Sequence, residues 1–313
     1  MMEKIRDRAR GRWHGIMTAL GVASSALTGK HRPCPLPGCG GKDRFRFDDK
    51  EGNGTFFCSH CGAGDGVHFV MKLRGLDFKE AAAAIEGVIG SAPIGKKKKE
   101  MTPAEREAAL SRLWDSAGRI TRGDPVDRYL RGRGVGLDFY PHTLRFAPSI
   151  SYQDDTGRRE RHPAMLAALI DVDGNAVNIH RTYLTDDGRK AEVDEVRKMM
   201  PGGFPAGASI RLAPHGSVLG IAEGIETALA ATALFGVPCW SAVNSTGLEK
   251  WLAPAGITEV VVYGDNDPKF GGQAAAFALA HRLACAGLIT SVQIPPMVGE
   301  DWNDVLTKAR RAA

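Results

Sequence analysis

Between Ser217 and Leu306, three short apolar runs (Val218 to Ala222, Glu259 to Tyr263 and Val292 to Pro295) each lead into carboxylates. The first two meet Glu223 with Glu226, and Asp265 with Asp267; the third reaches Asp301 and Asp304 through a short loop. Runs of this length and apolarity suit strands buried on both faces of a parallel sheet. Ala-rich helical patterns follow from Ile225 and from Gln273 to Ala286, so the order is strand, acid, helix, a βαβ arrangement. Such sheets gather ligands outside the carboxyl ends of their strands, which brings the three acidic groups to one rim.

Carboxylates held together repel and raise one another's pKa unless a cation joins them. A hard cation such as Mg²⁺, bound by one or two carboxylates and several waters, resolves that repulsion and leaves room for a phosphate-bearing substrate. Gly224, Gly264, Gly271 and Gly272 leave backbone space beside the acids. The competing reading is that an acid after a strand only caps the next helix, where the dipole and free N–H groups favour it. Glu226, one helical turn beyond Glu223, is the acid for which that reading is strongest.

The Glu223-Gly224 pair, Asp265-Asn266-Asp267 and the Asp301-Trp302-Asn303-Asp304 segment together resemble the Toprim domain, shared by bacterial-type primases, topoisomerases and some nucleases. The resemblance implies that Glu223, Asp265 and Asp267 are catalytic ligands of Mg²⁺ or Mn²⁺, with Asp301 and Asp304 as further catalytic members. The sequence departs from the family in one place. Pro268, Lys269 and Phe270 intervene before Gly271, where the family has a Gly soon after its second Asp.

Nearer the amino terminus, Cys34 and Cys39 form one knuckle and Cys58 and Cys61 another, with 18 residues between the pairs. Two short cysteine loops on a hairpin supply a closed thiolate shell for a structural Zn²⁺. Such a site contributes on the order of 10 kcal/mol of folding free energy, which a module this small is expected to lack from its core. His31 and His60 are alternative ligands, although four cysteines suffice. In the intervening Asp43-Arg44-Phe45-Arg46-Phe47, period-two alternation sends Arg44 and Arg46 to one strand face, open to nucleic acid, and the phenylalanines to the other. Over residues 12–88, Cys-Pro, Cys-Gly-Gly-Lys-Asp-Arg-Phe-Arg-Phe and Cys58-Ser-His-Cys61-Gly-Ala-Gly-Asp-Gly resemble the zinc-binding domain of phage and plasmid primases, including primase-helicases. In that family the ribbon helps recognise the template site on single-stranded DNA.

The rest of the chain fits around these two motifs. Its 313 residues allow two or three domains. No apolar run approaches the roughly 18 to 20 residues of a membrane helix, and the charged start has no signal-peptide core, so no membrane contact and a cytoplasmic location are expected. Cys239 and Cys285 read as small buried thiols. Residues 1–100 carry 18 Lys and Arg against 11 Asp and Glu, whereas the remainder carries 23 against 25; the basic end suits a polyanion. Residues 3–28 predict one or two helices, with Ile5, Trp13, Ile16 and Leu20 near helical spacing. Residues 90–103, with four consecutive lysines, predict a basic linker; Gly90, Gly95 and Lys96 miss a P-loop because Lys97 stands where Ser or Thr is needed. No helicase half is therefore expected in this sequence.

Helices are predicted over 102–122 and from Asp127 to Gly132 or Gly134, the second leaving a basic corner at Arg128, Arg131 and Arg133. Strands are predicted over 144–146, 165–172 and 176–184, the last two joined by Asp173-Gly174. The resemblance implies that this segment is a basic subdomain, with Arg181, Lys190 and Lys198 holding nucleotide or template phosphates. The expected organisation is an α+β and α/β multidomain chain. It comprises an amino-terminal helix with a zinc ribbon (1–89), the linker, a basic α+β subdomain (104–213) and a Toprim α/β domain with a mainly parallel sheet (214–313). The implied activity is that of a DNA primase, which makes short primers from nucleoside triphosphates on a single-stranded DNA template beside a replicative helicase. The alternatives are a non-catalytic single-stranded DNA-binding replication adaptor and a Toprim nuclease or topoisomerase. No surrounding domain supports the nucleophilic tyrosine that a topoisomerase needs.

Overall fold

A computed structural model of the protein describes residues 2–92, 101–154 and 157–312. The chain forms two compact units that divide after residue 100. Residues 93–100, which include the four lysines of the expected linker, lie outside the described residues. Among the described residues no helix is long and apolar enough to cross a membrane.

The first unit holds α1 (Met2–Ala9), α2 (Trp13–Ala19), β1 (Arg32–Cys34), β2 (Gly40–Phe47), β3 (Phe56–Cys58), β4 (Gly62–Gly64), α3 (Gly66–Arg74) and α4 (Phe78–Ile89). Its strands form an antiparallel sheet in chain order. The alternation in β2 buries Phe45 and Phe47, and the Phe45, Phe56 and Phe69 rings lie 5.1 to 6.0 Å apart in the core. Local signals set the helix ends: the Asp65 carboxylate accepts from the His68 N–H, and Asp77 with Glu80 makes a capping box for α4. The ribbon packs into a helical core. Trp13, Ile16 and Met17 from α2 and Ile85 from α4 are fully buried with the phenylalanines, so the helices supply the apolar mass that the ribbon strands cannot.

The second unit begins with α5 (Pro103–Asp115) and α6 (Pro125–Gly132), followed by β5 (Leu144–Gln153), β6 (Arg159–Ile170), β7 (Ala176–Tyr183) and β8 (Arg197–Met199), an antiparallel sheet in chain order. Helix α5 starts on a capping box made by Thr102 and Glu105. It ends at Asp115, well before residue 122, and Gly118 bridges to Phe146 of β5 instead. The second sheet is parallel and contains β9 (Val218–Ala222), β10 (Cys239–Ser241), β11 (Glu259–Tyr263) and β12 (Ile289–Gln293), in the order β10-β9-β11-β12. Helices α7 (Ile225–Phe235), α8 (Ser245–Lys250), α9 (Gly271–Cys285) and α10 (Trp302–Ala312) connect and cover it.

The continuous apolar runs of β9 and β11 are explained by burial on both faces. Leu219, Ile221, Val260 and Val262 pack with Leu279 and Leu283 of α9, while Val261 and Tyr263 share a core with α7, α10 and the antiparallel sheet through Leu144, Met165 and Leu169. The third strand differs from expectation. It starts at Ile289 and ends at Gln293, because an edge strand alternates exposed and half-buried residues, and the apolar Val292 to Pro295 run marks its exit rather than its length. Cys239 is buried as expected, but Cys285, in the last turn of α9, is exposed.

Candidate functional site

Strands β1 and β3 carry Cys34 and Cys58, and the turns beside them bring in Cys39 and Cys61, so that the four sulfurs all lie within 4.8 Å of one another. Among the described residues this is the one such group of three or more metal-ligating side chains. Four converging free thiols fit a closed tetrahedral zinc shell. Burial opposes ionisation of Cys58, but the Cys61 and His60 backbone N–H groups and the neighbouring thiols hold it down to about 7. His60 Nδ1 stands 3.6 Å from Cys39 Sγ and 3.8 Å from Cys61 Sγ, beside the quartet, and His31 Nδ1–H donates to the Asp43 carbonyl at 2.9 Å. Of the two strand-face arginines, Arg46 is forked onto Asp48 at 2.5 and 3.1 Å. Cys58→Ser is expected to release zinc and cost several kcal/mol, lowering the melting temperature of this unit by about 4–8 °C per kcal/mol. Cys285→Ser should change neither; zinc content and calorimetry check both.

In the second unit the parallel sheet brings its acids to one rim. Asp265 stands just past the end of β11, after Gly264, and its Oδ1 is buried without a hydrogen-bond partner. Burial, then the charges of Glu223, Asp301, Asp267 and Asp304, push its carboxyl up to about 7. Glu223 is raised by burial and by Asp267, and Asp301 by burial and by Asp304. An orphaned carboxylate oxygen among four like charges fits a cation such as hydrated Mg²⁺ or Mn²⁺, which one or two carboxylates suffice to hold.

Helix capping accounts for part of the acidic pattern. Asp267 Oδ2 accepts from Gly272 N–H at 2.8 Å, at the start of α9. Asp301 Oδ1 accepts from Asp304 N–H at 2.8 Å, and Asp304 Oδ2 from Asp301 N–H at 3.3 Å, a reciprocal cap on α10. Capping and cation binding share these side chains, since each carboxylate has a second oxygen.

Two backbone devices hold Asp265 and Glu223. A Cβ at Gly272 would sit 2.7 Å from the Asp265 carbonyl oxygen, so glycine alone lets α9 start this close. Gly272→Ala is expected to displace Asp265 and lower metal-dependent activity about 10²-fold with the zinc content unchanged, read by kinetics beside metal analysis. Val243 has φ +73°, a conformation β-branched residues rarely adopt. Its N–H donates to Ser241 Oγ at 3.2 Å, Ser241 Oγ–H donates to the Glu223 carbonyl at 2.8 Å, and the turn delivers the Ser245 N–H to the Glu223 carboxylate.

Glu226 is not at the rim. It is 3% exposed and accepts from Arg197 Nη2 at 2.8 Å and from the Tyr129 hydroxyl, which joins α7 to β8 and α6. Burial opposes its charge, but Arg197 and Tyr129 hold it down to about 2.

The parity of β7 and β8 sorts the basic residues. His180 and Arg197 share the sheet face of Met165 and Ala167, which packs on α7. Arg181 pairs with Leu166 and Lys198 on the opposite face, where Arg181 lies over Tyr183 and Lys198 over Tyr152. The structure thus does not bring Arg181 and Lys198 to the acids. Lys190 does lie within their field: burial, Arg197 and Arg133 lower its pKa against the pull of Glu226 and Asp301. A cleft of about 290 Å³ beside Asp304 and Glu300 is lined by Arg133, Lys308 and Arg311. In the expected basic corner, Arg131 is neutralised by buried Asp127 at 2.9 Å. Arg197, Lys308 and Arg311 are not singled out by sequence pattern, because their placement follows from which face and which helix end meet the rim.

Residues 29–67 match the family model described as the zinc-binding domain of primase-helicase, and residues 218–312 match the Toprim domain model. Residues 218–312 are a Toprim domain. The chain therefore joins a primase-type zinc ribbon to a Toprim domain, and the segment between them, residues 104–212, matches a domain of unknown function, DUF7146. Among solved structures, the Aquifex aeolicus primase fragment with zinc-binding and RNA polymerase domains is similar over 99% of this chain and 83% of its own, at 15% identity and a TM-score of 0.46. The primase fragment of the bacteriophage T7 primase-helicase protein is similar over 90% of this chain and 95% of its own, at 16% identity and a TM-score of 0.38. The RNA polymerase domain of Mycobacterium tuberculosis primase DnaG is similar over 67% of this chain and 81% of its own, at 17% identity and a TM-score of 0.43.

Proposed function

We propose that the protein is a DNA primase, synthesising short primers from nucleoside triphosphates on single-stranded DNA. The observation that carries this reading is Asp265, whose buried, partnerless Oδ1 and raised carboxyl call for a cation at the rim of a Toprim domain that shares its chain with a primase-type ribbon. Asp265 and Glu223 are the residues that would hold Mg²⁺ or Mn²⁺, with Asp267, Asp301 and Asp304 around them. The chemistry such an ion supplies is neutralisation of triphosphate charge and a lowered pKa for the attacking 3′-hydroxyl.

The chain's own contribution is positioning. The Val243 turn and the tight start of α9 fix Glu223 and Asp265. Lys190 and Arg133 stand where they can hold phosphate oxygens against the repulsion of the rim. The working parts of this proposal are residues 1–89 for template selection through the zinc ribbon with Arg44 and Arg46, 104–213 as the basic subdomain, and 214–313 for nucleotidyl transfer, with 90–103 as linker. Arg181 and Lys198 act on template outside the acidic rim, and a replicative helicase is the natural partner of such an enzyme.

The test is synthesis on random-sequence single-stranded DNA with labelled nucleoside triphosphates and Mg²⁺ or Mn²⁺. Short products are expected. Full zinc loading and tight single-strand binding with no product, even beside a helicase, would move the protein to the adaptor reading. Relaxation or nicking of supercoiled plasmid would move it to the nuclease or topoisomerase reading.

A further inference from the structure

Three large apolar side chains stand out of the Toprim domain beside its acids: Phe270, Met297 and Val298 are 69%, 61% and 67% exposed. They sit on the loops that carry the carboxylates, Phe270 just past Asp267 and the other two just before Glu300 and Asp301. Asn266 fastens these loops together. Its N–H donates to the Glu300 carbonyl at 3.0 Å, its carbonyl accepts from the Gly299 N–H at 2.6 Å, and its side-chain amide donates to the Pro295 carbonyl at 2.7 Å. Phe270 is tied in turn: its N–H donates to the Asp267 carbonyl at 3.0 Å and its own carbonyl accepts from the Ala274 N–H at 2.9 Å. The apolar tips are thus presented on a bonded frame, with Pro295 and Pro296 limiting the second loop further.

Phe270 also has φ +61°, which glycine adopts freely and an aromatic residue adopts only at a cost. A loop that served only to end β11 and begin α9 gains nothing from an exposed ring there. What surrounds the ring indicates the ligand. Lys269 beside it is exposed, and the second loop borders the cleft where Arg133 and Arg311 stand beside Asp304 and the Lys308–Glu300 ion pair. Flat apolar surface next to cations, at the mouth of a carboxylate rim, complements a ligand that alternates flat bases with phosphates. Single-stranded nucleic acid has that chemistry.

We propose that Phe270, flanked by Met297 and Val298, is a stacking platform for a base of single-stranded DNA, and that Lys269 holds the adjoining phosphate. The assignment of that strand as template rests on the primase reading; the platform itself does not. Phe270→Gly suits the backbone, so its melting temperature is expected to equal or exceed that of the wild type. Its affinity for a fluorescein-labelled oligothymidylate, followed by anisotropy, is expected to fall about tenfold, whereas Phe270→Trp retains it. An oligonucleotide bearing 5-iodouracil is expected to photo-crosslink to residue 270 in the wild type and in the Trp variant.

Unchanged affinity in Phe270→Gly, with crosslinks elsewhere, overturns the platform and leaves the lip to a protein surface. Running primer synthesis by the wild type in parallel keeps the two readings apart. Primers made by the wild type alongside unchanged binding by the Gly variant overturn the platform alone. A crosslink at Phe270 from a wild type that makes no primers supports the platform and counts against the primase.

Discussion

Asp265→Asn is expected to lower primer synthesis by about 10³-fold or more while leaving zinc content and secondary structure intact. The substitution keeps the shape of the side chain and removes one charge from the most crowded point of the rim, where Oδ1 has no hydrogen-bond partner and four other carboxylates act on it. The same change has an opposite effect on the metal-free fold. A buried carboxylate repelled by its neighbours is destabilising, so the variant should melt higher than the wild type in a chelating buffer. Adding Mg²⁺ should raise the wild-type melting temperature, by the equivalent of about 2.7 kcal/mol at a hundredfold excess over its dissociation constant, and the variant's far less. Equal synthesis, or an equal Mg²⁺ shift in both proteins, would remove Asp265 from the metal site. Activity and thermal shift together matter because a merely structural aspartate would not invert the sign of the stability effect.

Much of the second unit was legible because the physics acting on it is local. Strands buried on both faces write themselves as Val-rich runs, and an acid after each strand follows from the free N–H groups of the next helix whether or not a metal is bound. The Cys34, Cys39, Cys58 and Cys61 spacing was legible for the same reason, since each knuckle is a short closed loop. What was hidden depends on long-range pairing. Strand β10 is three residues long, Cys239–Ser241, and exists because β9 offers it an edge. The parity of β7 is visible in its sequence, but which face meets α7 is not; hence nothing in the sequence tells that Arg181 and Lys198, expected to hold nucleotide or template phosphates, lie on the sheet face opposite His180 and Arg197. The first unit's core was legible only in its parts, because Trp13 and Ile85 meet the ribbon phenylalanines from distant helices. Glu226 looked like a helix-start acid because its partners, Arg197 and Tyr129, are 29 and 97 residues away.

That pairing supports the second large effect. Glu226 is buried while the Arg197 side chain is 45% exposed, so the two halves of the pair are not equivalent. Arg197→Met strands a buried carboxylate and is expected to cost about 3–5 kcal/mol, whereas Glu226→Gln leaves an amide that still accepts from Tyr129 and lets the guanidinium turn to water, at about 1–2 kcal/mol. The double variant should lie well above the sum of the two losses. The pH dependence has two parts. Glu226, held near 2 by Arg197 and Tyr129 against its burial, contributes stability that is fully present above the unfolded value of 4.5 and is lost as pH falls towards 2.

His180 lies beside it, 6% exposed, with Nδ1 unpartnered. Burial, then Arg197 and Arg181, lower its pKa to about 4 against the attraction of Glu226. The unfolded chain takes up that proton near 6.5, so stability should already decline as pH falls from 6.5 to 4. His180→Gln should flatten that upper window, and Glu226→Gln only the lower one, in urea melts across pH. An Arg197→Met protein as stable as the wild type, or a His180→Gln protein with an unchanged upper window, would mean that the contact between β8 and α7 is held by packing alone. Because α7 begins just after Glu223, a clamp that holds as described ties the antiparallel sheet to the geometry of the acidic rim.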